Sequence, residues 1–91
     1  LRALAPDGVR ISIIVPVLNE RQAIAPFLRM AAALQPHEII VADGGSTDGT
    51  AAAVSGATLV HSAPGRGPQM NAGAAAATGD VFLFLHVDVS L

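Results

Sequence analysis

Four short polar clusters carry the residue types from which a binding or catalytic site can be built: Asn19-Glu20, Asp43-Gly44-Gly45-Ser46-Thr47-Asp48-Gly49, Gly65-Arg66-Gly67-Pro68 and His86-Val87-Asp88. In the second, an Asp followed by two glycines and Ser-Thr-Asp makes a cradle of backbone N–H groups, Gly45 among them, with the Asp43 carboxylate at its rim. Such a carboxylate can accept from the N–H of a uracil-like or guanine-like base. The plain alternative is an ordinary strand-to-helix turn with Asp43 and Ser46 as caps. Asn19 and Glu20 likewise read either as pocket residues or as an N-cap with a first-turn acid, and Asp48 reads as a helix-start acid. Arg66 is the natural phosphate partner in a chain with five Arg and no Lys.

Short apolar runs must position these clusters. Ile11-Ser12-Ile13-Ile14-Val15 is nearly continuous in apolar character, as a buried parallel strand should be, and Pro16 is expected to end it. Asn19-Glu20 opens a helix predicted to run to about Leu34, with Ile24, Phe27, Leu28 and Leu34 on one face. Pro26 fits there only if the helix begins late or is kinked. Glu38 to Ala42, Thr58 to His61 and Val81 to Leu85 read as further strands, the last apolar on both faces and so suited to the middle of a sheet. A short helix is expected around Thr50 to Ser55. A small-residue helix should follow from about Gln69 to Ala77, closed by Gly79 as a left-handed cap.

Strands alternating with helices give an α/β architecture with a mainly parallel sheet. Ligands of such sheets bind beyond the C-terminal ends of the strands. Asn19-Glu20, Asp43 to Asp48, and His86 with Asp88 all fall there. The acids at three neighbouring strand tips are expected to converge on a cation and the pyrophosphate it carries.

The chain has 91 residues, enough for one domain, with residues 1–9 read as a leader and 10–91 as the domain proper. Charged residues are 13% and the net charge is -2, with no basic stripe, so nucleic acid is not an expected partner. Absence of Cys excludes disulfides and thiolate zinc sites and suits a reducing cytoplasm, the expected location, with peripheral membrane contact left open for a longer protein. No apolar run approaches the roughly 18–20 residues of a transmembrane segment. His37 and His61 read as bystanders, Met30 and Met70 as packing residues.

Val15-Pro16-Val17-Leu18-Asn19-Glu20, followed by Ile39-Ile40-Val41-Ala42-Asp43-Gly44-Gly45-Ser46-Thr47-Asp48-Gly49-Thr50, resembles the opening of the large inverting glycosyltransferase family often called family 2. The segments Gly65 to Gly73 and Gly79 to Asp88 match that family's next two landmarks, in order. The resemblance therefore covers nearly all of the chain from Ile11 to Leu91. The Gln69-Met70-Asn71-Ala72-Gly73 and His86-Val87-Asp88 wording is closest to a bacterial subgroup associated with radical-SAM/selenodomain proteins.

The resemblance implies a GT-A (Rossmann-like) fold, of which this chain is the N-terminal half, a nucleotide-diphosphate sugar as donor and an unspecified acceptor. It implies that Pro16 and Glu20 line the nucleotide pocket, with Asn19 beside them, and that Asp43 is the acid near the base. Arg66 and Asn71 fall in the segment that closes over base and diphosphate. Asp88 matches the last acid of an Asp-x-Asp motif that holds Mg2+ or Mn2+, and a cation there offsets charge on the departing diphosphate. Two departures bear on the donor. Gly44 stands where a second acid commonly helps to read the base. His86 stands in place of the first Asp, where imidazole suits manganese better than magnesium or hydrogen-bonds ribose or phosphate.

An inverting transfer needs a general base, which in the resembling family lies well beyond the metal motif. The 91 residues are therefore expected to bind donor without turnover, and an unpaired sheet edge at Val81 to Leu85 is expected to favour a homodimer or poor solubility. The alternative is a non-catalytic nucleotide-binding or assembly module of the same fold. A nucleotidyltransferase is disfavoured because Pro16-Val17-Leu18-Asn19-Glu20 replaces a Gly-rich, basic loop. A dinucleotide oxidoreductase is disfavoured because Gly65-Arg66-Gly67-Pro68-Gln69-Met70 lacks the third glycine.

Overall fold

β-branched residues favour the extended, pleated chain, and Ile11–Val17 forms the first strand, β1. Helix α1 spans Arg21–Ala33, β2 Glu38–Asp43, β3 Thr58–His61, α2 Arg66–Ala76 and β4 Val81–Phe84. These elements come from a computed structural model that describes residues 8–88, so residues 1–7 of the expected leader lie outside the described residues. The four strands are all parallel and lie in the order β3-β2-β1-β4, an α/β fold as the alternating runs require. Among the described residues no helix is long and apolar enough to cross a membrane.

Alternation along β1 sends Ile13, Val15 and Val17 to one face and Ser12 and Ile14 to the other. Helix α1 covers the first face. Its Ile24, Phe27, Leu28 and Ala31 are buried with Leu34 in one cluster with Ile13, Val15, Val17, Ile39 and Val41. Each large side chain buried this way contributes about 1.5–3 kcal/mol. Helix α2 lies against the other face. A Cβ on Gly73 would sit 2.4 Å from Ile14 Cγ2, so α2 can seat this closely only with glycine there. The opposite, N-terminal end of the sheet is tied off by the Ser12 hydroxyl and the Thr78 N–H, both donating to Glu38.

Several local expectations are corrected by the fold. Val81–Phe84, read as suited to the middle of a sheet, pairs with β1 alone among the described residues and leaves there the unpaired edge also expected of it. Val81, Phe82 and Phe84 are accordingly 48%, 40% and 39% exposed. Apolar character on both faces does not specify which neighbours supply the cover.

Pro16 does not end β1. The Leu85 N–H donates to the Ile14 carbonyl at 3.0 Å, so even-numbered residues of β1 turn their polar groups toward β4. The β1–β4 pairing stops at Ile14 with Phe84, which leaves the missing N–H of Pro16 beyond the ladder.

Helix α1 begins at Arg21 with Pro26 well inside it. The proline removes the N–H that would bond the Gln22 carbonyl, and both residues are exposed, where water can substitute. Helix α2 begins at Arg66 rather than near Gln69, which puts Pro68 in the first turn, where its missing donor is harmless. Ala77, with φ -75 and ψ 141, ends α2 in extended conformation, so Gly79 is not a left-handed cap. Gly79 is needed for space: a Cβ there would lie 2.5 Å from Ser12 Oγ. The short helix expected over Thr50 to Ser55 is a single 3-10 turn, Ala51–Ala53.

Candidate functional site

The parallel sheet brings the ends of β1, β2 and β3 and the chain leaving β4 to one edge. There the turn after β1 is laced to the loop after β2. Asn19, in the left-handed region at φ 54, donates its N–H to Ser46 Oγ at 2.8 Å and accepts at Oδ1 from the Thr47 N–H at 2.8 Å. The Glu20 N–H donates to Thr50 Oγ1 at 2.9 Å, and the Arg21 N–H to Asp48 Oδ2 at 3.2 Å. The hydroxyl of fully buried Thr50 donates a hydrogen bond to Asp48 Oδ1. That hydroxyl is the main reason the Asp48 carboxyl lies below its usual range; burial opposes it, and the N–H groups of Arg21 and Thr50 add to it. Asp48 thus closes the start of α1 from across the loop.

Asp43, the last residue of β2, is 2% exposed. Its carboxylate accepts from the Ser46 hydroxyl, from the Ser46 N–H at 3.2 Å and from the Gly45 N–H at 3.4 Å. This is an Asx-type turn, and Gly45, at φ 100, supplies the backbone conformation it requires. His61, at the tip of β3, places Nδ1 3.6 Å from Asp43 Oδ2, so it stands beside this acid rather than apart from it. His37 is at the opposite end of the sheet, with Nε2 3.0 Å from Thr78 Oγ1.

One open cleft of about 330 Å³ is lined by Pro16, Val17, Leu18, Glu20, Arg66, Gln69 and His86. A second hollow of about 310 Å³ shares Pro16, Arg66 and His86 and continues over Met70, Phe84 and Leu85. Pro16, Glu20, Arg66 and His86, distant in sequence, are therefore gathered on one cleft. Asp43 does not line it; Asn71 is exposed on α2, and Asn19 lines a separate hollow with Glu20 and Asp48.

Val87 is buried in the core at 5% exposure and anchors the residues on either side of it at the surface. His86 Nδ1 lies 2.8 Å from Asp88 Oδ1, an imidazole and a carboxylate held together. Among the described residues no group of three or more His, Cys, Asp or Glu could hold a metal. The expected convergence of acids from three strand tips is thus not what the chain forms, because Asp43 is turned into its own loop. A two-donor pair still fits Mg2+ or Mn2+, which take remaining ligands from substrate oxygens and water.

The start of α2 has a different character. Its N-cap is Gly65, with φ 124 and ψ 150, no side chain caps it, and its first turn carries no acid. The free N–H groups and the helix dipole favour an anion here, and Arg66 adds a full positive charge.

Gln69 is the site residue the sequence did not reveal. It is 6% exposed, donates from Nε2 to the Val17 carbonyl at 2.8 Å and the Ala42 carbonyl at 3.0 Å, and accepts at Oε1 from the Gly65 N–H at 3.2 Å. Glutamine is ordinarily a surface residue, and its signals were a place four residues beyond a loop glycine and at the head of the Gln69 to Gly73 motif, neither of which told its role. A Cβ on Gly44 would lie 2.8 Å from Gln69 Cδ, which gives the missing second acid a steric cause.

The sequence profile described as Glycosyl transferase family 2 matches residues 12–91. Among solved structures, glucosyl-3-phosphoglycerate synthase from Mycobacterium tuberculosis in complex with Mn2+, uridine-diphosphate and glucosyl-3-phosphoglycerate is similar, with a TM-score of 0.81 and 32% identity over 91% of this chain. The same enzyme with Mn2+, uridine-diphosphate-glucose and phosphoglyceric acid gives 0.81 and 28% identity over 98% of this chain. The chain spans 35% and 41% of the lengths of those two structures. No curated protein matches it.

Proposed function

The chain belongs to glycosyl transferase family 2, and on that footing we propose that it forms the donor-binding part of a GT-A enzyme. That enzyme moves a sugar from a nucleotide-diphosphate sugar to an acceptor with inversion. The observation that carries this reading is the meeting of Glu20, Arg66 and His86 on one cleft at the C-terminal edge of a parallel sheet, the edge where such folds bind ligands.

Pro16 and Glu20 take the nucleotide side of the cleft. Arg66 and the open N–H groups of α2 take the diphosphate, with Asn71 farther along the same helix. Asp43 and Gly45 form the turn at the base end. His86 and Asp88 would hold the divalent cation, which when bound offsets the negative charge gathering on the leaving diphosphate. None of these residues is assigned the role of general base. The Mn2+ and uridine-diphosphate bound by the relatives support a uridine donor and manganese, and the preference of imidazole agrees with manganese. The Gln69 to Gly73 and His86 to Asp88 wording supports the radical-SAM-associated subgroup.

A thermal-shift series with UDP, GDP and UDP-glucose, each with and without Mn2+, tests the reading. A ligand at 100 times its dissociation constant should stabilise the chain by about 2.7 kcal/mol, and Asp88→Ala should remove the part that depends on Mn2+. No shift with any nucleoside diphosphate would overturn it. The open edge of β4 also supports pairing of two copies, and a sedimentation profile independent of concentration would exclude that.

A further inference from the structure

We propose that Gln69 is the positioning residue of this cleft, fixing the turn into α2 so that Arg66 faces the diphosphate, and that residue 44 is glycine to make room for the Gln69 amide. The ligand in this proposal rests on the donor-binding reading above; the mechanics do not.

The β1–β2 pairing ends with Val17 opposite Asp43, and beyond it the two chains separate into their loops. The Gln69 side chain enters at that fork from α2. Its two amide hydrogens go to carbonyls of two different strands, Val17 at 2.8 Å and Ala42 at 3.0 Å. Its carbonyl takes the Gly65 N–H at 3.2 Å. One buried amide therefore ties together the ends of β1 and β2 and the residue that precedes Arg66.

Gly65 has φ 124, a backbone conformation open to glycine and strained for other residues, and no side chain caps the helix it begins. Among the described residues, the bond to Gln69 is the only side-chain hydrogen bond that holds this turn. The next residue, Arg66, lines both hollows. Losing the amide would not part the strands, because the Val17 carbonyl keeps the Gly44 N–H at 3.0 Å. The effect belongs to the turn. Gly44 is the matching half: a Cβ there would lie 2.8 Å from Gln69 Cδ and 3.0 Å from both Nε2 and Oε1, the terminal amide itself, which could move aside only by giving up the three hydrogen bonds that hold it.

The test compares UDP binding in Mn2+ by calorimetry for the unaltered chain, Gln69→Met, Arg66→Ala and the double variant, with hydrogen exchange at the Gly65 amide read alongside. Gln69→Met should weaken UDP about tenfold and Arg66→Ala about tenfold or more. The double variant should bind no worse than Arg66→Ala alone, since Gln69 acts through Arg66. Losses that multiply in the double variant overturn the proposal. The Gly65 amide should lose protection in Gln69→Met without any ligand, and unchanged protection overturns the proposal equally. If the unaltered chain binds no UDP, the donor reading fails, while the exchange result still decides the role of Gln69. Gly44→Ala should lower the thermal midpoint when Gln69 is present and leave it unchanged in a Gln69→Ala background. An equal loss in both backgrounds refutes the part assigned to Gly44.

Discussion

Helix α1 starts beneath an acid of its own chain, Asp48 bound to the Arg21 N–H, whereas α2 starts on Gly65 with no side-chain cap and no acid in its first turn. Both starts lie at the same edge of the sheet and carry the same partial positive charge. Where the chain answers that charge itself, the helix end is a brace, drawn tight by Asn19, Ser46, Thr47 and Thr50. Where it does not, and an arginine follows, the end is left to an external anion. The acid-rich loop from Asp43 to Asp48, the most suggestive stretch in the sequence, is largely spent on its own folding. The quieter Gly65-Arg66-Gly67-Pro68 is the part that remains available.

That contrast can be broken at either helix. Replacing Arg66 by Ala should cost about 1.5–3 kcal/mol of UDP binding, the range for a hydrogen bond to a charged group. Calorimetry should show this with no change in the urea midpoint; loss of stability without loss of binding would reverse the roles given to the two helices. Gly73→Ala should push α2 off Ile14 and destabilise the chain by about 1–3 kcal/mol, as overpacking does, and equilibrium urea unfolding reads it directly. Thr50→Val keeps the shape but strands the Glu20 N–H and Asp48, costing about 1 kcal/mol of stability. UDP affinity should fall less than in Arg66→Ala, because Thr50 reaches the cleft only through the Glu20 N–H.

The smallest effect is a pH dependence. The folded Asp48 carboxyl lies below the usual carboxylate range. Its stabilising contribution is therefore complete above the ordinary value of the unfolded chain and is lost as pH falls through the lower folded one. Stability should be flat in its Asp48 part from pH 7 to about 5 and decline below about pH 4. Urea midpoints should show a shallower decline for Asp48→Asn, and parallel curves would remove Asp48 from the brace.

Local pattern carried the elements well where one residue type has one use. Ile24, Phe27 and Leu28 could face only a core, and β-branched Ile11 to Val15 could hardly be other than a strand. It carried less where the partner is remote. Nothing near Val81 to Leu85 names the strand it pairs with, since strand order depends on pairings far along the chain. Arg66-Gly67-Pro68 reads as loop because Gly and Pro usually break helices, yet the first turn tolerates both. Asp43 looks the same in sequence as a ligand or as a cap, and only the positions of Ser46 and Gly45 show where its oxygens are engaged. Gln69 was invisible because its partners are carbonyls 52 and 27 residues away.

Pro16 has one further effect. In the β1–β4 ladder the bond after Leu85 N–H to Ile14 would need a donor at position 16, and proline has none. The ladder therefore loses its next bond at this point, and the chain past Leu85 carries no further strand pairing with β1 among the described residues. Beyond that point is the space over which Pro16, Arg66 and His86 meet. A single imino acid thus stands where the β1–β4 ladder gives way to binding space, while β1 and β2 stay paired past it.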